Sequence, residues 1–492
     1  MAETLKLLML NPFFYPYQGG TEKHLLEVSK RLAERHDVTV LTSQLPDTKR
    51  LEKIYGVNVV RTPALILTKL PHPLPPPFPV MPQHGVDLWR LAKRADVVHA
   101  HNRFIYGLTE VALIRALDKT LCWTLHNARP MGIGPSTDLF GQAYDESVGR
   151  IVMRACDGVI GVSQATLDTT LPEDYDGVKS VVYNGVDEKM FTPGEASGNW
   201  RKRLGIPAGK KIVLCVCRLI EQKGLFFLLE AMREVDAALV LLGRGPLEKE
   251  IAAHAAAHGA ANKFFPCTER ISDSELVDLY RTAEVFVLPS LYEPFGMVIV
   301  EAMACGKPVI GTGVGGIPEI IREDTNGLIV PPRNPRALAT AINAVLNNDA
   351  KARRFGLAGR KIVENEFTWM KTARGYEEFY KRVQLAEAEC EAKRGEKREA
   401  KRGAKRGTER WAERGTGNGA KLGVGKAALF GRAWAKAFLS KGGVSVSSAL
   451  KRRIKRRLSK LRKRVRKNLK RVKKLRKVKK AKNVKKSKTV KN

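Results

Sequence analysis

The sequence predicts an α/β protein: two Rossmann-like, doubly wound domains facing a cleft, followed by a basic C-terminal tail. Three observations carry that expectation. Short apolar runs alternate with helical patterns from Leu5 to about Asp187, the rhythm of strands joined by crossover helices in a parallel sheet. The rhythm restarts at Lys211 and continues to about Gly356. The charge is lopsided: formal net charge is +37 over 492 residues, yet residues 381–492 hold 42 Lys+Arg against 7 Asp+Glu. The rest of the chain is therefore nearly neutral, and the overall basicity says nothing about what the body binds.

The elements follow in order. Residues 5–10 read as a first strand, too short an apolar run for a secretory leader. Residues 21–35 are helix-like, with Leu25, Leu26, Val28 and Leu32 on one side. Residues 38–41, 57–61, 97–100, 121–125 and 159–162 are further short apolar runs. Residues 71–82 are dense in proline, which excludes regular helix or central strand; they read either as a connector or as an acceptor-binding lip. Residues 193–198 read as the joint between domains, and 368–385 as a closing helix. The domain expectation is thus 1–190, 191–365, a closing helix over 366–388, and a tail from 389 to 492. Residues 393–414 read as a charged linker or solvated helix. Residues 451–492 carry 25 Lys+Arg and no acid, with Ile454, Leu458, Leu461, Val465, Leu469, Val472 and Leu475 every three or four residues, an amphipathic basic helix. No run is long and apolar enough to span a bilayer. The seven cysteines are scattered with no CxxC pair, as reduced thiols of a cytoplasmic protein would be. Cys215 and Cys217 alternate along a strand and should face the same side.

The most informative stretch is residues 285–310. An apolar strand-like run ends in Pro289-Ser290, a short loop carries Glu293 and Gly296, and an apolar helical run carries Glu301 before Gly306 stops it. The N–H groups near Gly296, Met297 and Val298 open that helix, and a helix N-terminus suits a diphosphate. Carboxylates accept hydrogen bonds from hydroxyls. One acid before such a cradle and one after it suit a ligand with sugars on both sides of a diphosphate, a nucleotide-sugar.

Glu293-x7-Glu301 with Pro-Phe-Gly between resembles the donor site of retaining glycosyltransferases of family four, which have the GT-B fold. The resemblance covers about residues 5–380 and implies that Glu301 binds the ribose and Glu293 the transferred sugar. It implies diphosphate binding by Arg218 and Lys223, which follow the strand-like run 212–217. Fixed cations aimed at a departing diphosphate can stand in for a metal ion. Further implied contacts are Gly19-Gly20 toward the phosphates and the acceptor, His126 toward the transferred sugar, and Gly243, Arg270 and Ile271 along the nucleotide. No cofactor is expected beyond the donor substrate.

Three further motifs offer rival readings. His99-x-His101 suggests a metal, but a third ligand is not evident from the sequence and strand-end packing accounts for the pair. Asp174-Tyr-Asp176 is a DxD match inside a turn. Gly311-Thr-Gly-Val-Gly-Gly316 matches GxGxxG, which raises an NAD-dependent oxidoreductase. The strand-like run after it, 328–330, ends in Pro331-Pro332 where a ribose-binding acid belongs, so the loop reads as donor pocket or plain turn. The expected activity is sugar transfer from a nucleoside-diphosphate sugar to a lipid-linked or glycan acceptor, with residues 451–492 on an anionic cytoplasmic membrane face. The alternative is a membrane- or nucleic-acid-binding protein with a degenerate body, since dense Lys/Arg binds any polyanion.

Overall fold

The computed structural model describes residues 4–68, 78–101, 106–127, 135–257 and 261–413. The expected amphipathic helix at 451–492 and most of the proline-rich 71–82 stretch lie outside the described residues. The chain divides into two compact units, 1–399 and 400–492.

That unit contains two main sheets. The first has the order β10-β9-β8-β7-β1-β2-β4-β3, with β1 Lys6–Leu10, β2 Asp37–Ser43, β3 Leu51–Ile54, β4 Val57–Thr62, β7 Val97–Ala100, β8 Thr120–Leu125, β9 Gly158–Gly161 and β10 Val178–Val181. Every pairing is parallel except β3 with β4. A separate ribbon pairs β5 Leu65–Leu67 with β6 Phe78–Val80. The second sheet, β13-β12-β11-β14-β15-β16, is wholly parallel. Its strands are β11 Ile212–Val216, β12 Ala238–Leu242, β13 Phe264–Cys267, β14 Val285–Leu288, β15 Val309–Thr312 and β16 Gly327–Val330.

The central strands are buried along their whole length, as in β12 (Ala-Leu-Val-Leu-Leu) and β14 (Val-Phe-Val-Leu). Continuous apolar runs are what helices on both faces of a parallel sheet demand. Each sheet also reverses its strand order once. The chain builds outward from β1 through β2 and β4, then returns to β7 beside β1. It builds from β11 through β12 to β13, then returns to β14 beside β11. Such reversals open a crevice at the strands' carboxyl ends, where ligands of open α/β sheets bind. Residues 11–24, 99–101 and 126 lie at the first crevice, and 217–223 and 289–301 at the second.

The last helix, Trp369–Glu413, extends well past the expected 366–388. It starts next to the β10–α connection, where Val186 and Thr368 bridge. It then inserts Tyr376, Phe379, Tyr380 and Val383 among Leu7, Met9, Val97, Cys122 and Ile160 on one face of the first sheet. A segment that follows the second domain in sequence is therefore part of the first domain's core. Among the described residues, no helix is long and apolar enough to cross a membrane.

Candidate active site

The second crevice is built from charge. β14 is followed by a loop that turns into the helix Met297–Ala304 through Gly296, whose φ of 110° is open chiefly to glycine. Glu293 in that loop is only 8% exposed. Its Oε2 accepts from Lys223 Nζ at 2.6 Å and from Ser290 Oγ at 3.3 Å. Lys223 comes from the single 3-10 turn Glu221–Lys223 after β11, so two neighbouring strands meet in this pair. Arg218 is exposed at the same strand end, and among the described residues no carboxylate pairs with it. Its charge reaches the Tyr17 hydroxyl of the first domain.

Glu301 lies in an otherwise apolar helix, buried from Ile299 to Ala304. A buried carboxylate needs partners, and it has them. Tyr280 OH donates to its Oε2 at 3.0 Å, and Lys23 Nζ of the first domain lies 3.5 Å from its Oε1. Burial by itself would lower the Lys23 ammonium, but the charges of Glu301, Asp273 and Glu27 outweigh it and raise its pKa. Lys23 and Tyr280 carry no motif of their own. Only the fold brings them to Glu301.

The glycine-rich loop Gly311–Gly316 is a buttress for this site. Gly316 N–H donates to the Glu293 carbonyl at 3.0 Å, and Thr312 Oγ1 donates to the Ser290 carbonyl at 2.5 Å. Gly315 has a φ of 53°, and any Cβ there would run into the Glu293 carbonyl. Gly243 N–H, after β12, bonds to the Cys267 carbonyl at 3.0 Å. Arg270 is exposed in the loop before the helix Asp273–Thr282, and Ile271 packs partly buried against the core. These two stand further along the sheet edge than Glu293 and Glu301, beyond β12.

The buried floor of the first crevice is built mostly from uncharged groups. Gly19 caps the helix Gly20–Leu32, and Gly20 faces Met297 of the second domain closely enough that a Cβ would sit 3.9 Å from its Sδ. Glu22, in the first turn, has its carboxyl pKa raised by burial. His24 on the same helix is fully buried. His99 is the penultimate residue of β7, His101 lies just beyond the strand, and His126 follows β8, half-buried. A hydrogen-bonded chain runs from Asn184 to His24 (2.7 Å), Tyr376 (2.8 Å), Thr124 (2.7 Å), His99 (2.8 Å) and Tyr380 (2.8 Å). His101 Nδ1 and His126 Nε2 are 3.1 Å apart. Burial lowers all four imidazole pKa values, that of His24 to about 4 and that of His99 to about 3. At neutral pH the cluster is uncharged. The sequence showed His99-x-His101 without a third partner; the structure sets His24 and His126 beside His101.

The domains touch next to Glu293. Ser163 Oγ donates to the Pro294 carbonyl at 2.7 Å, and the Glu319 carboxylate accepts from Gln164 N at 2.8 Å and Ala165 N at 3.0 Å. Asp174 of the DxD match pairs with Arg154 and, at 3.5 Å, with Arg150. Cys215 and Cys217 do face the same side, their sulfurs 3.9 Å apart.

Comparison with known proteins agrees with this architecture. Residues 18–189 match the model of glycosyltransferase family 4, and residues 197–362 match that of glycosyl transferases group 1. The alpha-maltose-1-phosphate synthase of Mycolicibacterium smegmatis is 30% identical over 323 residues, 59% of this chain and 80% of that protein. A D-inositol 3-phosphate glycosyltransferase of Xylanimonas cellulosilytica is 29% identical over 385 residues, 72% of this chain and 89% of that one. Sucrose-phosphate synthase of Thermosynechococcus elongatus superposes with a TM-score of 0.61 at 24% identity, over 78% of this chain and all of that one. Anabaena HepE, solved with UDP and glucose, gives 0.61 at 22% identity over 76% of this chain and 98% of its own. These last two speak for the fold, which is GT-B. The chain belongs to the group 1, family-four glycosyltransferases, and it is a glycosyltransferase enzyme.

Proposed function

We propose that this glycosyltransferase moves a hexose-type unit from a nucleoside-diphosphate sugar to an acceptor hydroxyl, with retention at the anomeric carbon and without a metal ion. The observation that carries the reading is a pair of buried carboxylates on either side of a glycine-capped helix start, with Arg218 and Lys223 at the adjoining strand end. In this reading the N–H groups of Gly296, Met297 and Val298 and the two cations hold the diphosphate. Glu301 takes the ribose hydroxyls and Glu293 the sugar hydroxyls. Lys223 now neutralises Glu293; with donor bound, its ammonium is within reach of the departing phosphate. Gly19 and Gly20 bring the first domain's backbone up to the phosphates. His126 contacts the transferred sugar as a neutral hydrogen-bonding group. Gly243, Arg270 and Ile271 border the nucleotide.

Anabaena HepE, solved with UDP and glucose, supports a donor of this class. The acceptor is proposed to be lipid-linked or a glycan. The basic segment 451–492 is proposed to hold the enzyme on an anionic cytoplasmic membrane face, each Lys or Arg near the bilayer adding about 1 kcal/mol. A screen of UDP-, GDP- and ADP-sugars for donor hydrolysis tests the reading, followed by NMR of the product anomer. No turnover of any of them, or an inverted anomer, would overturn it.

A further inference from the structure

We propose that His24, His101 and His126 form a binding site for a borderline divalent metal ion of the zinc type, at the floor of the first crevice. One ring nitrogen from each lies within 4.8 Å of the other two. The closest pair, His101 Nδ1 and His126 Nε2, is 3.1 Å apart. Two nitrogens bound to a tetrahedral zinc at 2.0–2.1 Å stand about 3.3 Å from each other. So two of three ligands are already near coordination spacing, and the third, up to 4.8 Å away, has about 1.5 Å to close.

The groups around the triad fit this use. His101 is 1% exposed, and its Nε2 has no hydrogen-bond partner. Asn184 Oδ1 accepts from His24 Nδ1, which leaves the Nε2 lone pair facing Tyr376 OH. Tyr376 OH is also 2.7 Å from Thr124 Oγ1, so it can turn its proton there and release His24 Nε2. Asn184 would then be the outer partner that orients a metal-bound imidazole. Three imidazoles and no carboxylate suit zinc, cobalt(II) or nickel(II), and not magnesium or calcium, which require oxygen ligands. His126 is half-buried, and this leaves a route for the ion from the crevice and a fourth position open.

The ion would be an inhibitor, not a cofactor. It would occupy the His126 nitrogen that the proposed function assigns to the transferred sugar, and this consequence rests on that assignment; the site itself does not. The test uses chelator-stripped full-length protein titrated with zinc chloride alone, zinc being counted per chain by calorimetry and elemental analysis. One tight equivalent is expected. His101→Asn and His24→Gln, each checked for folding by thermal unfolding, should weaken binding at least about tenfold, while His99→Gln and Cys217→Ser leave it unchanged. Cobalt(II) on the wild type should give the visible bands of a tetrahedral nitrogen site. No zinc uptake, uptake indifferent to both histidine variants, loss in Cys217→Ser, or a thiolate charge-transfer band would each overturn the site. With the site confirmed, saturating zinc should suppress donor turnover at least tenfold. Full turnover with zinc bound would leave the site standing and remove His126 from the sugar contact.

Discussion

The two crevices are built on the same architecture and stocked with opposite chemistry. Both lie where a parallel sheet reverses its strand order, and both collect polar side chains at strand ends. In the second domain those are full charges: Lys223 on Glu293 with Arg218 exposed beside them, and Glu301, which draws Lys23 across from the first domain. In the first they are imidazoles, phenols and a hydroxyl, kept neutral by burial and chained through Tyr376 and Tyr380. A diphosphate leaving group needs positive charge held in place. A reacting sugar needs hydrogen-bonding groups that do not compete with it for charge. In the proposed function the fold supplies a frame, and the residues at its edge divide the work.

The comparison breaks most severely if charge in the second crevice is not needed. Arg218→Ala combined with Lys223→Ala should lower kcat/KM by at least about 10³-fold, because a single fixed group aimed at a developing anion is already worth about 10²–10³. The wild type should keep its activity in EDTA. Loss of activity in EDTA with recovery in Mn²⁺ would show that a metal, and not these two side chains, carries the leaving group.

A smaller effect is expected from the acids. Glu293→Ala and Glu301→Ala should each cost about 1.5–3 kcal/mol of transition-state binding, roughly ten- to over a hundredfold in kcat/KM. Wild-type turnover in either variant removes that residue from the donor site. Lys223 and Lys23 are left without their partners in these variants, so unfolding should be followed alongside.

The neutral network should fail differently, in stability before chemistry. Tyr376→Phe removes the hydroxyl shared by His24 and Thr124 and should lower the unfolding free energy by about 1–3 kcal/mol, with the donor KM unchanged. A denaturation midpoint equal to wild type would show that the tyrosine is not what docks the last helix on the first domain.

No effect on turnover at all is expected from truncation before Lys451. The shortened protein should hydrolyse donor as the full chain does, yet no longer sediment with anionic liposomes at low salt. Full-length protein that ignores such liposomes while binding RNA or DNA tightly would transfer the tail to a nucleic-acid role.

Much of the second crevice was legible because it is local. Glu293, Gly296 and Glu301 come from one strand, loop and helix, and the spacing of Arg218 and Lys223 after an apolar run marks another strand end. The first crevice was hardly legible. Its residues, His24, His99, His101, Thr124, His126, Asn184 and Tyr376, come from seven places along 353 residues of chain. A histidine in isolation carries no sign of whether it is a core residue or a site residue. The loop Gly311–Gly316 was recognisable as a motif, but its place behind Glu293 was not: backbone hydrogen bonds between distant loops leave no side-chain pattern. β3, which pairs with β4 at the sheet edge, was also missed, since a half-exposed strand with the sequence Leu-Glu-Lys-Ile presents no apolar run.

By itself the sequence determined the alternation of strands and helices, the neutral body and basic tail, the glycine at the helix start and the two acids around it. Those are properties of hydrophobic period and local backbone freedom, which neighbours in the chain decide. Only the tertiary structure decided that Tyr280 and Lys23 satisfy Glu301, that Ser163 and Glu319 join the domains beside Glu293, and that four histidines share one buried pocket with two tyrosines of the last helix. Those facts depend on which strand ends the sheet topology makes adjacent and on which groups burial then compels to find partners. Neither is a property of any one stretch of sequence.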